Sequence, residues 1–380
     1  MFITIIAFIV VLSILVLIHE LGHFLTAKKF GIKVEEFGFG FPPRVFGKRI
    51  GETLYSINLL PIGGFVKLYG EDQAGGGSIR RTKSHPFDKL RASKLTANSQ
   101  QLKRAFFARP AWQRATIVLA GVIMNFLLAV VLISYLFSAH GVAIPTENIR
   151  VVEIAQNSPA AAAGIQKGDE IITIDGKRIT QTPDFAKIAK AKAGQPIKLE
   201  LLRKGKEFLV SITPRKEVPE GQGPIGVAIS NIEVKKYPWY SAPFFGTLEA
   251  FKFSFMILQG LSEMVINLVL YGKSPTGIAG PVGVAQLTGQ AVSYGIVATL
   301  WFVSLLSLNL AVVNVLPIPA LDGGRLFFIL IELVTGKKIS PRHEAMAHAI
   351  GLAVLLALIL FITFFDIARV LSGQTLLPKM

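Results

Sequence analysis

Residues 17–24 read Leu17-Ile18-His19-Glu20-Leu21-Gly22-His23-Phe24, within a run that is predominantly apolar back to residue 2. Two histidines and a carboxylate in such a run need a reason, because ionisable groups inside a membrane span cost roughly 2.5 kcal/mol or more each on insertion scales. His19 and His23 are four residues apart, so on a helix they share one face within reach of a single metal ion. Glu20 can sit beside that ion without ligating it, which is where a general base belongs. The pattern is H-E-x-x-H.

Composition points the same way. Of 380 residues, 51% are hydrophobic and 17% charged, which places the chain among polytopic membrane proteins rather than soluble ones. A net charge of +16 would suit a nucleic-acid partner, but the basic residues are unevenly spread. Residues 28–109 carry 16 Lys and Arg against 6 Asp and Glu, so this segment is expected on the cytoplasmic side, with the amino terminus outside and no nucleic acid bound. With no cysteine, a disulfide framework and a thiolate metal site are both excluded, and metal ligands must be His, Asp or Glu. Residues 2–27 lack a basic n-region and a small-residue cleavage site, so they read as a retained transmembrane helix rather than a signal peptide.

After this helix, Val34 to Pro43 and Thr53 to Leu68 are aromatic and β-branched, broken by Gly and Pro, and read as short strands joined by turns. They fit either a hairpin that dips into the membrane interface and offers an edge to an extended substrate, or a small surface sheet. Gly70 to Gln101 is rich in Gly, Ser and Lys and reads as mobile. The second span holds Gly121 and Asn125 on one face, a spacing suited to close helix packing. Phe253 to Tyr271 is apolar enough to cross a bilayer, yet a crossing there would bring the later spans back on the wrong side. It is therefore expected as an interfacial helix on the outer face.

In the third span Pro317 and Pro319 forbid a regular helix, so the backbone before Asp322 must line a protein or water cavity. Asp322 is the best third ligand. Two histidines and one carboxylate leave the fourth position of tetrahedral zinc open, as in catalytic sites. Asn314 suits either a hydrogen bond to a substrate carbonyl or satisfaction of the broken helix. Lys337, Lys338 and Arg342 mark a cytoplasmic turn before the fourth span. The remaining histidines, His85, His140, His343 and His348, read as solvated or capping residues.

Residues 146–232 change character, with alternating strands and a Pro-Ala-rich short helix. The run SPAAAAGIQKGDEIITIDGKRI (158–179) resembles a PDZ domain. That likeness implies a peptide groove formed by Gly223, Ile225, Gly226 and Val227.

Taken together, HELGH at 19–23, FGFGFPP, LLPIGGFVKL, GVIMNF, the PDZ-like region, Gly280-Pro281-Val282-Gly283 and NVLPIPALDGGR resemble the site-2 protease family, zinc-dependent intramembrane proteases of the regulator-of-sigma-E type. The resemblance covers nearly the whole chain. It implies one Zn2+ per chain on His19, His23 and Asp322, with Glu20 as catalytic base. It also implies substrate contacts from Asn314, Pro317, Pro319, Gly63, Gly64 and Phe65. Substrates would be single-span membrane proteins, an anti-sigma factor or remnant signal peptides, cut in the bacterial inner membrane. Relatives of this type often carry two PDZ domains; here there is room for one.

The expected fold class is thus a polytopic α-helical membrane protein: four transmembrane helices, an interfacial helix, a membrane-associated β-hairpin region and an inserted α/β PDZ domain. Its parts are 1–28 (first span with the metal motif), 29–111 (cytoplasmic segment), 112–140 (second span), 146–232 (PDZ), 244–272 (interfacial helix), 295–334 (third span with the ligand motif) and 346–371 (fourth span). A metal transporter would show internal repeats, which are absent from the sequence. A noncatalytic PDZ scaffold would have lost Glu20 or Asp322, and both are present.

Overall fold

An uninterrupted apolar run makes Phe2–Lys29 one helix, α1, whose last turn carries Lys28 and Lys29 at the negative end of the helix dipole. Gly31, at φ +69°, ends it, and the Ile32 N–H returns to the Ala27 carbonyl at 2.9 Å. These residues belong to a computed structural model that describes residues 2–71, 101–219, 221–271 and 279–372. His85 and residues 72–100 of the Gly- and Lys-rich stretch lie outside the described residues. The chain forms two units, Met1–Leu136 with Trp239–Met380, and Phe137–Pro238.

In the first unit, β1 (Val34–Ile50) and β2 (Thr53–Leu68) follow α1. Gly and Pro break them into short paired segments: Phe37 faces Val66 on one side and Tyr55 on the other, while Arg49 and Ile50 turn back on Leu54 and Thr53. The end of β2 lies along α1, with Ser13 Oγ donating to the Pro61 carbonyl at 2.9 Å. The turn between the strands is tied down by Glu52, which accepts from Arg104 at 2.7 Å and Lys28 at 3.0 Å. The Arg104 hydrogen bond, with Lys28 adding to it against the cost of burial, holds the Glu52 carboxyl at about 2.

The helices continue as α2 (Ala111–Ala139), α5 (Ala242–Tyr271), α6 (Pro281–Ser293), α7 (Ile296–Val315), α8 (Asp322–Thr335) and α9 (Pro341–Leu371). Among the described residues, four helices are long and apolar enough to cross a membrane, and they lie in α1, α2, α7 and α9. The 244–272 segment is helical, as α5, and is not one of the four.

As the sequence implies, Pro317 and Pro319, which supply no backbone N–H, stop α7 and divide 295–334 into α7 and α8. Two departures from the sequence reading have plain causes. The fourth apolar helix starts at Pro341 rather than 346, with proline in the first turn, where its missing N–H does no harm. The sequence reading assigned no element to α6, whose N-terminus is capped from α9 by Asp366 accepting the Gly283 N–H at 2.7 Å.

One buried cluster joins the elements that carry the histidines and Asp322. Ala27, Ile32, Val34, Leu68, Phe106, Ala115, Ile117, Val118, Leu326 and Ile329 pack the end of α1, the sheet, α2 and α8 together. Beside it the buried Arg114 on α2 pairs with Glu332 on α8 at 2.6 Å. α1 and α2 touch at Gly22, where a Cβ would fall 2.3 Å from the Ala120 carbonyl oxygen, so only glycine permits the approach.

The second unit holds the strands β3 (Val142–Ile154), β4 (Glu170–Ile174), β5 (Lys177–Arg178), β6 (Ile197–Arg203), β7 (Lys206–Ile212) and β8 (Val227–Lys235). They run in the order β7-β6-β4-β3-β8, with β5 paired to β4. Two helices accompany them, α3 (Pro159–Ala162), capped by Ser158, and α4 (Thr182–Ala191). Its core is Ile149, Val151, Ile171, Ile174, Phe185, Ile197, Leu199 and Leu201 with their neighbours. Burial pushes the Asp169 carboxyl up, but two Arg203 hydrogen bonds and the Gln166 N–H outweigh it and hold the group below the usual carboxylate range. An apolar groove runs between α4 and β8, lined by Phe185, Ala186, Ala189, Ile225, Val227 and Ile229.

Candidate metal centre

The helical repeat of α1 stacks His19 over His23, and α8 begins at Asp322, so the three side chains meet. His19 Nε2 lies 2.8 Å from Asp322 Oδ2, His23 Nε2 lies 3.2 Å from the same oxygen, and the two Nε2 atoms are 3.1 Å apart. Both histidines are buried. Among the described residues, these three are the group of His and carboxylate side chains able to hold a metal ion.

The surroundings fit zinc. Two imidazoles and one carboxylate are its usual nitrogen and oxygen donors. Gly121 of α2 makes the space: a Cβ there would fall 2.4 Å from His23 Nε2 and 2.7 Å from His19 Cε1. The outer nitrogens set the tautomers. His23 Nδ1 lies 2.8 Å from the Ile117 carbonyl, which can only accept, so the proton is on Nδ1 and Nε2 keeps its lone pair. His19 Nδ1 lies 3.5 Å from the Asn125 amide, whose Oδ1 is buried without a partner. An amide whose O and N are exchanged accepts from His19 Nδ1–H and gives His19 the same tautomer. Asn125 therefore serves the site as well as the helix contact that its spacing suits; Ser307 Oγ of α7 donates to its backbone carbonyl at 2.7 Å.

Glu20 lies outside the ligand group. Its carboxylate accepts the Val66 N–H of β2 at 3.0 Å, and Gly64 is packed beside its Cγ. Gly63, Gly64 and Phe65 thus run along α1 at the level of Val16 to Glu20. Asn314 sits half-buried at the end of α7, and Pro317 and Pro319 lie in the turn that leads to Asp322. Gly223, Ile225, Gly226 and Val227 line the groove of the other unit.

The turn before Asp322 is tightly made. Ala320 takes φ +80°, a left-handed conformation that costs a non-glycine residue about 1–2 kcal/mol. Gly323 and Gly324 lie where a Cβ would fall 2.0 Å from the Leu316 carbonyl oxygen and 2.5 Å from that of Ile318. The Ala320 N–H donates to His348 Nδ1 of α9 at 2.9 Å. His348 is thus neither a solvated nor a capping residue, as the sequence reading had it: it receives a bond from a loop 28 residues away. His343 does lie at a helix start, bonded to Ser340.

An HExxH helix joined by a distal aspartate defines the site of a metalloprotease, here held among helices of membrane-spanning character. The comparisons carry this to a family. Residues 7–358 match the model of Peptidase family M50, and the chain belongs to that family. It is 32% identical to the zinc metalloprotease RasP of Geobacillus kaustophilus and 33% identical to the regulator of sigma-W protease RasP of Bacillus subtilis, each covering 96% of this chain and 98% of the relative. Residues equal to 23% of the chain are similar to the crystallised PDZ domain of an SdrC-like protein from Listeria monocytogenes, at 22% identity and a TM-score of 0.21. The chain is a zinc-dependent intramembrane endopeptidase.

Proposed function

We propose that this protease cuts single-span membrane proteins within or beside their transmembrane segments, near the cytoplasmic face of a bacterial inner membrane. The observation that carries the reading is the convergence of His19, His23 and Asp322 beside the glycine-bearing edge of β2. The basic 28–109 segment and Lys337, Lys338 and Arg342 favour a cytoplasmic position for this end of the helices. Exposed Phe41, Val45, Phe46, Leu59 and Leu60 suit a hairpin that enters the membrane interface. Exposed Phe244, Leu248, Phe251 and Phe255 suit an α5 lying on the outer face. Residues 146–232, read as a PDZ domain, then stand outside the cytoplasm.

His19, His23 and Asp322 would hold the zinc. When bound, the ion supplies a Lewis acid and lowers the pKa of water from 15.7 to about 7. Glu20 accepts the proton of the attacking water and passes it to the leaving amine, with the Val66 N–H holding its second oxygen. The scissile peptide must leave its helix first, since a helical peptide bond is shielded; pairing with the β2 edge at Gly63, Gly64 and Phe65 keeps it extended. Asn314, half-buried at the end of α7, donates to a substrate carbonyl. Pro317 and Pro319 keep the adjoining backbone open for the same strand. The groove at Gly223, Ile225, Gly226 and Val227 takes an extended peptide or chain end and screens entry.

The relative named as a regulator of sigma-W points to a membrane-bound regulator of a sigma factor as the substrate class. The test is cleavage of a tagged single-span protein by the purified chain, with the cut mapped by mass spectrometry. A cut inside the span supports the reading, and cuts confined to soluble tails refute it. Deleting residues 146–232 is expected to change which substrates are cut; unchanged cleavage of full-length and pre-trimmed substrates would end the screening role.

A further inference from the structure

The turn that delivers Asp322 is gripped from outside by α9, and we propose that His348 is a positioning residue that fixes the approach of this ligand. The inference rests on reading Asp322 as a metal ligand. Ala320, two residues before it, is held in the left-handed region, and the Ala320 N–H ends on His348 Nδ1 at 2.9 Å. One helical turn further along α9, Gly351 lies where a Cβ would fall 2.4 Å from Pro319 Cβ and 2.6 Å from its carbonyl oxygen. His348 and Gly351 are three residues apart and so share one face of α9. Phe328 of α8 packs edge-on against the imidazole at 5.7 Å, fixing the ring from the side of the ligand helix.

These contacts act on the loop and not on the metal. Alanine does not hold a positive φ unaided. Without the His348 acceptor, Ala320 relaxes toward the right-handed or extended region, and the rotation passes through Leu321 to Asp322. Metal ligands must lie within about 0.2 Å of their ideal distance, so a small rotation is enough to loosen the ion. His348 belongs to the last apolar helix, remote in sequence from both ligand motifs. α9 thereby joins α1, α2 and α8 as a support of the centre.

The measurement is zinc affinity of the full-length, detergent-purified protein by chelator competition, with the visible spectrum of the Co2+-loaded protein as a report of ligand geometry. His348→Leu removes the acceptor and is expected to weaken zinc by about tenfold to a hundredfold and to alter the Co2+ spectrum. His348→Asn places an amide oxygen near the Nδ1 position and is expected to stay within about threefold of wild type. Ala320→Gly lets the turn keep its positive φ without help, so adding it to His348→Leu is expected to restore most of the loss. Wild-type affinity and spectrum in His348→Leu, or no recovery in the double variant, would overturn the proposal. If His348→Leu does not fold, Gly351→Ala tests the same grip: weakened zinc supports it and unchanged zinc refutes it. Asp322→Ala separates the two levels, since wild-type zinc affinity in that variant would remove the ligand reading beneath the proposal.

Discussion

Gly121→Ala places one methyl group against the centre without replacing a ligand. Its Cβ would stand 2.4 Å from His23 Nε2, 2.7 Å from His23 Cε1 and 2.7 Å from His19 Cε1. Ordinary contact begins at 3.4 Å, so His23 must retreat by 3.4 − 2.4 = 1.0 Å. That is several times the roughly 0.2 Å that a metal site tolerates. Retreat is also blocked, because the far side of His23 is bonded to the Ile117 carbonyl at 2.8 Å on the same helix α2. The expected result is a loss of zinc affinity of at least about a hundredfold, at the upper end for changes beside metal sites. Overpacking adds about 1–3 kcal/mol of destabilisation. Zinc content after dialysis against a weak chelator reads the first effect; thermal unfolding in detergent, with and without zinc, reads the second. A Gly121→Ala protein that holds zinc as tightly as wild type and cleaves at the same rate would refute the reasoning.

Three further outcomes follow from other contacts. Asn125→Leu strips His19 Nδ1 of its partner and is expected to weaken zinc about tenfold, whereas Asn125→Asp, which can accept, is expected to weaken it less; equal loss in both would contradict the tautomer assignment, read by chelator competition. Glu332→Ala leaves Arg114 buried without its partner and is expected to destabilise the chain by about 3–5 kcal/mol, while Arg114→Met with Glu332→Leu is expected to recover most of that in unfolding measurements. Glu52 has its carboxyl depressed in the folded chain, so its contribution is present in full above the ordinary value of 4.5 and is lost as the pH falls toward about 2. With both partners partly exposed, it is worth about 1 kcal/mol, and Glu52→Gln is expected to flatten the melting temperature over that window and to lower it near neutrality.

The centre was legible because each of its parts breaks a local rule. His19, Glu20 and His23 interrupt an apolar run, and Asp322 follows two prolines that end a span, so each announces itself without reference to the fold. The four long apolar helices were legible for the same reason, as was the strand pattern of 146–232. What escaped was non-local. The GVIMN spacing places Gly121 and Asn125 on one face, but nothing in it says that the opposing atoms are imidazoles. His348 is a lone histidine near the start of an apolar helix, and its partner is a backbone N–H in another loop. α6 is short and only mildly apolar, and it is defined by packing, with Gly289 set tightly against Thr4 of α1 and Gly283 bonded to Asp366. The double pairing of Phe37 with Val66 and Tyr55 likewise depends on a fold-back that alternation alone does not specify.

The most direct measurement is zinc content and cleavage of a single-span substrate, taken together on purified wild type, Glu20→Gln and Asp322→Asn. Wild type is expected to hold about one zinc and to cut. Glu20→Gln is expected to keep the zinc and lose cleavage by about 100-fold or more. Asp322→Asn is expected to lose zinc, activity or both. Full zinc and full cleavage in the Asp322 variant, or undiminished cleavage by Glu20→Gln, would contradict the assignment of ligands and base on which the account stands.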